Sequence, residues 1–178
     1  TIVDGSALSN SAWQALTVGA WRYANNDPST LADYGRLYNW YAFMGVYDSA
    51  SLSNPALRKS IAPSGFKIPE DTDWINLRNC LGGTGAGGKL KEIGTTYWNS
   101  PNTGATNSSG FGARGGGYIS GIGLPDTTFK TFGWWWSKTS DFPSPSNNST
   151  YAVTASGDNL SSGTAPANFG FGIRVLQI

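Results

Sequence analysis

Three tryptophans in a row, Trp134-Trp135-Trp136, restrict this chain more than any other stretch. On a strand, successive side chains point to opposite faces. Trp135 then looks one way, and Trp134 and Trp136 the other. A sheet built on such a strand needs apolar cover on both sides, or it leaves indole rings at a surface. The sequence alone allows both outcomes: all three rings under long loops, or one or two of them in a binding surface.

The rest of the composition fits a sheet wrapped in loops. There are 24 Gly and 8 Trp in 178 residues, the length of one domain, read here as residues 1–178. Stretches rich in Gly, Ser, Asn and Thr predict short strands, long connections and an aromatic core. Twelve basic and 11 acidic residues leave a net charge of +1, so no basic field calls for nucleic acid or an anionic membrane. No segment approaches the roughly 20 apolar residues of a membrane span. Histidine is absent, which excludes a His base and His-ligated metals. The single cysteine, Cys80, rules out an intrachain disulfide and is expected to be a small buried hydrophobe. The chain starts at Thr1 without a signal-peptide pattern, as expected of an excised domain or a processed form.

Local patterns give a partial element order. Residues 8–16 suit a short helix capped by Ser9 or Asn10, and 19–24 a strand. Leu37, Trp40, Tyr41 and Met44 fall at i, i+3, i+4 and i+7, which favours a helix over 34–45, with a strand as the alternative. Residues 48–60 read as a polar loop around Pro55. The clearest signal spans 65–81. Phe66-Lys67-Ile68 alternates as a strand. Pro69-Glu70-Asp71 then opens a helix whose first-turn acids suit its dipole, and Gly82-Gly83 ends it. Further strands are expected in part of 110–119 and at 133–137, 150–155 and 171–177.

Gly83 to Lys89 fits G-x-x-x-x-G-K, the opening of a phosphate-binding loop. The residue after the lysine is Leu90, which has no hydroxyl for Mg²⁺, and a helix rather than a strand precedes the loop. The glycines are therefore read as tight turns. Lys89 and Lys91 are expected in solvent, and Leu90 and Ile93 pointing inward.

The continuation GGKLKEIGTTYWNSPNTGATNSSGF resembles the signature of the Fibrobacter succinogenes major paralogous domain. Ordered blocks elsewhere strengthen the likeness: YGRLYNWYA (34–42), APSGFKIPEDTDW (62–74), GGGY (115–118), WWWS (134–137) and GFGIR (170–174). That family is a module of bacterial surface and secreted proteins and of some phage proteins. It is similar to the C-type lectin-like and formylglycine-generating-enzyme-like folds. The resemblance implies an α+β, C-type lectin-like domain: two helices packed on a twisted antiparallel sheet with long loops, the terminal strands pairing.

No residue pattern argues for catalysis. The carboxylates Glu70, Asp71 and Asp73 are explained by a helix start, and nothing in spacing pairs Asp126, Asp141 and Asp158. No cofactor is expected. A structural calcium would draw on Asp141, Asn147, Asn148, Asp158 and Asn159, but the tripeptides of calcium-dependent sugar binding are missing. The expected function is a non-enzymatic ligand-binding module, extracellular, on a cell surface or on a virion. Its partner would be a protein receptor or a surface glycan. Its site is expected on the late strands and loops: Trp134, Trp136, Lys138, Asp141, Phe142, Asn147, Asn148, Tyr151, Asp158, Asn159 and Asn168, where rigid rings stand among small polar groups. The Asn, Ser, Thr, Tyr and Asp content of 137–168 also suits a segment varied by a diversity-generating retroelement. The alternatives are a structural decoration domain of a fibre or surface protein and a calcium-independent carbohydrate-binding domain.

Overall fold

The computed structural model describes residues 1–120, 128–144 and 147–178. It is a mixed α+β structure of three small sheets and short helices. In the first sheet, β1 (Val3–Asp4) runs parallel to β2 (Ala20–Tyr23), and β2 pairs antiparallel with β3 (Arg36–Tyr38). Between them lie α1 (Asn10–Gln14), capped by Ser9 as expected, and α2 (Leu31–Tyr34). The helix expected over 34–45 becomes a strand followed by a single turn, α3 (Trp40–Phe43). Asn39 causes the break. Its buried side chain accepts from the Ala42 and Ala20 amides, 2.9 Å each, capping α3 and tying it to β2.

The loop expected at 48–60 contains α4 (Ser49–Ser53). Asp48 accepts from the Ser51 amide at 2.8 Å, and the Ser51 hydroxyl accepts from the Asp48 amide at 3.0 Å. This is a capping box with Ser in the place usually held by Glu or Gln. Then β4 (Phe66–Lys67) and α5 (Asp71–Cys80) follow the reading, and α5 stops where Gly82 and Gly83 take φ of +90° and +73°. Cys80 is exposed, contrary to expectation, because α5 turns Trp74 rather than its last residue into the core.

The glycine run holds a helix that its composition hides, α6 (Ala86–Leu90). Gly87 and Gly88 lie directly against the backbones of Asn159 and Gly104, where a Cβ would collide. Leu90 is buried as expected, but Ile93 is 66% exposed and Lys91 is fully buried. The Lys91 ammonium donates to the carbonyls of Thr103, Thr154 and Gly157 at 2.7–2.8 Å, which offsets part of its lost hydration.

The central sheet is an antiparallel meander of β5 (Phe132–Trp136), β6 (Asn148–Thr154) and β7 (Ser161–Ala165). The reading missed β7, since its Ser-Ser-Gly-Thr sequence carries a loop composition. The expected strand in 110–119 is reduced to single bridges at Ala113, Gly117 and Ile119. The strand expected at 171–177 is reduced to bridges at Phe171 and Gly172 and to β8 (Leu176–Gln177). The terminal strands do not pair with each other: β8 pairs with β4, and β1 with β2.

Both sides of β5 are covered. Trp135 packs with Trp74, Trp98, Leu90 and Tyr151. On the other side Trp136 and Trp134 meet Trp40, Phe43 and Phe171. A third cluster joins Trp13, Leu37 and Ile119.

Candidate functional site

The eleven residues expected in the site fall into separate places. Three of them belong to the core. Trp136 is 0% exposed and its indole N–H donates to the Tyr38 carbonyl at 2.7 Å. Tyr151 is 3% exposed and stacks on Trp74 at 5.2 Å, and burial pushes its phenol pKa up, with Asp71 adding to the effect. Asn148 is buried as a clamp. It accepts from the Ser144 amide at 2.9 Å and donates to the carbonyls of Ser144 (2.8 Å) and Ala165 (2.9 Å). These side chains position the surface rather than form it. Trp134 is partly buried and stacks on Phe171 at 5.1 Å.

Lys138, Asp141 and Phe142 are brought together. Lys138 pairs with Asp141 at 3.1 Å, and Phe142 stands 53% exposed with the Arg58 guanidinium 5.8 Å from its ring. Asn147 is exposed, its amide donating to the Ser144 hydroxyl at 3.1 Å. Asp158 and Asn159 lie beyond the opposite end of β6, beside Gly85 and Gly104. The seven residues of β6 span about 20 Å at roughly 3.3 Å each, so the expected calcium ligands do not converge on one point. Among the described residues, no three His, Cys, Asp or Glu side chains gather in a way that could hold a metal ion. Asp126 lies outside the described residues, as do Pro145 and Ser146 of the expected variable segment.

Two clefts stand out. The first, about 670 Å³, opens where Pro143-Ser144 and residues 166–169 meet the end of α1 and Tyr41. Asn168 sits in its wall, donating to the Gln14 carbonyl at 3.2 Å, while its own carbonyl accepts from the Trp13 indole at 2.6 Å. The Tyr41 ring is partly buried beside Trp40, and burial raises its pKa. The lining mixes rings, prolines and small polar groups.

The second cleft, about 480 Å³, is ionic: Asp33, Arg36, Glu92, Arg114 and Arg174 line it, with Tyr34, Tyr38 and Trp135. Sequence reasoning missed it. Its charges come from four separated segments and have no common spacing, so only the fold assembles them. Among the described residues, no helix is long and apolar enough to cross a membrane.

The sequence profile of the Fibrobacter succinogenes major domain matches residues 1–177, and the chain belongs to that family. No curated protein and no solved structure matches it.

Proposed function

We propose that this member of the Fibrobacter succinogenes major domain family is a non-catalytic ligand-binding module of C-type lectin-like fold. It would be displayed on a bacterial surface, in a secreted protein or on a phage particle. The ligand is a protein receptor or a surface glycan, held by the loops around the β5–β6–β7 sheet. The observation that carries this reading is the 670 Å³ cleft between Pro143-Ser144, residues 166–169, Tyr41 and the end of α1. Its volume lies in the range of small-ligand sites, roughly 300–1,000 Å³. The Asn148 clamp fixes one wall in place before any ligand arrives, which lowers the ordering cost of binding. A chain without histidine has no imidazole base, and its one thiol lies exposed at the end of α5, away from either cleft. If a diversity-generating retroelement varies this protein, its targets are the exposed residues Thr139 to Phe142 and Asn147 and the exposed side chains of β7 rather than β6, whose residues are mostly buried.

The test is a screen of the isolated chain against a glycan array and against intact bacterial cells, followed by a cleft-blocking variant. Thr17 is exposed at the rim, so Thr17→Trp fills the cleft without entering the core. Binding lost in Thr17→Trp, with unchanged thermal unfolding, supports the placement. Binding retained in that variant refutes it, and absence of binding to all probes favours a decoration domain. Replacing Trp136 or Tyr151 by Ala would report on folding, since both are buried.

A further inference from the structure

We propose that the ionic cleft is a second binding site, specific for the carboxylate of a hydroxylated sugar acid such as a uronate. Three guanidiniums, Arg36, Arg114 and Arg174, face two carboxylates, Asp33 and Glu92, leaving one positive charge unbalanced. Their partners are unequal. Arg114 is fully engaged: it pairs with Asp33 at 3.1 Å and Glu92 at 3.4 Å, and lies 3.7 Å from the Tyr97 ring centre. Arg174 donates to the Gly112 carbonyl at 3.3 Å and rests over Phe111, with no ion pair among the described residues. Arg36 lies over Trp21, 3.9 Å from the ring centre, and its buried Nε has no hydrogen-bond partner among the described residues. The carboxylate it influences is Asp4, which already accepts from the Ser6 amide at 3.0 Å and forms no ion pair with it.

A buried donor without an acceptor is unfavourable, and an anion set against the Arg36 fork would relieve it. Stacking on Trp21 fixes the plane of the Arg36 fork, whose geometry matches a carboxylate. Burial, together with the nearby Arg114 charge, already disfavours the charged form of Arg174, and a bound anion would reverse that. The balance of charge selects the anion. One unit of positive charge suits a monoanion, and Asp33 and Glu92 would repel the second charge of a phosphate. The same two carboxylates, each with an oxygen not used by Arg114, are acceptors for hydroxyl groups. A carboxylate next to several hydroxyls on one ring meets both demands.

Glucuronate, glucose, glucose 6-phosphate and a short poly-glutamate peptide are the probes, titrated into the ¹⁵N-labelled chain. Saturable shifts of the Gly35, Gly112 and Gly172 amides are expected with glucuronate, with affinity at least about tenfold above that for glucose and glucose 6-phosphate. Arg36→Gln should weaken glucuronate by about tenfold or more, and Arg36→Lys, which keeps the charge and the fold, by a smaller factor, since it loses the fork. Absence of saturable shifts, shifts centred elsewhere, or equal binding by Arg36→Lys and Arg36→Gln to the wild type overturns the proposal. So does tighter binding of the phosphate or of the acidic peptide.

Discussion

Replacing Lys91 by Met probes the most demanding buried group in the fold. The ammonium is shut off from solvent, donates to three carbonyls, and has the Trp98 ring centre 5.6 Å away. Burial disfavours its charge and, partly offset by Asp158, brings its pKa from 10.5 down to about 8. At ~1.36 kcal/mol per pH unit, that drop corresponds to about 3 kcal/mol. Met would recover this amount and leave three carbonyl oxygens without the ammonium donor. At roughly 1–3 kcal/mol for each, the expected net loss at neutral pH is on the order of 3 kcal/mol. For a chain of this size, that lowers Tm by roughly 6–12 °C. The pH dependence is the sharper readout. Below about pH 8 the lysine is charged in both states, and the burial penalty is present in full. From there to the unfolded pKa near ~10.4, the unfolded chain holds one more proton than the folded one, so stability rises with pH. The Met variant lacks this gain. Tyr34, Tyr41 and Tyr151, with pKa values raised by burial, titrate in both proteins and cancel in the difference. The stability gap between wild type and variant should therefore widen by about 2–3 kcal/mol between pH 8 and 10. Urea unfolding followed by tryptophan fluorescence measures it. A gap that stays flat or narrows with pH refutes the reasoning, because the three carbonyls would then fully replace water around the charge.

Two further outcomes follow from the same region. Gly88→Ala should gain about 1 kcal/mol of helix propensity and still destabilise by a net amount on the order of 1–3 kcal/mol. Its Cβ would strike the Gly104 backbone, whose neighbour Thr106 donates to the Gly88 carbonyl at 2.9 Å; unchanged or increased stability in urea would show that α6 can retreat. Cys80 should react with a maleimide in the native protein about as fast as in urea, since it is exposed; strong native-state protection would place the thiol inside.

Elements governed by local chemistry were legible in the sequence. The strand, proline and acidic helix start at 66–80 and the Ser9 cap of α1 depend on neighbouring residues alone. The alternation of Trp134, Trp135 and Trp136 gave their opposite directions on β5, but left open whether both faces are covered, as they are. Errors arose where distant contacts override local preference. Leu37, Trp40, Tyr41 and Met44 have helical spacing, but Asn39 bonds across to β2 and divides the segment. Lys91 looks like a surface residue until carbonyls from the loop at Thr103 and from the end of β6 and the turn after it, Thr154 and Gly157, converge on it. A polar composition marked β7 and the first residues of β6 as loop-like, although Asn148 and Ser149 are buried within the sheet. The expected site mixed exposed residues with core ones for the same reason: asparagine and tyrosine serve both roles, and the sequence does not separate them.

The two clefts differ in how they can change. The walls of the ionic cleft come from β3, the glycine-rich connection at 112–114 and the strip at 172–174, all of which bond to the central scaffold. Tyr38 pairs with Phe171, and Gly172 with Trp135. Moving Arg36 or Arg174 means moving backbone that bridges to the core strands, so this cleft is held rigid. The first cleft is walled by loop residues that lean on the scaffold through a few side chains, Asn148 above all. Substitutions at exposed positions there leave both aromatic clusters intact and fall in the class of surface changes that cost about 0.5 kcal/mol or less. A fold that buries aromatics on both faces of β5 thus leaves the exposed positions of these loops with little share in stability. On the proposed reading, specificity can then change at the loop cleft while recognition at the arginine cleft stays fixed.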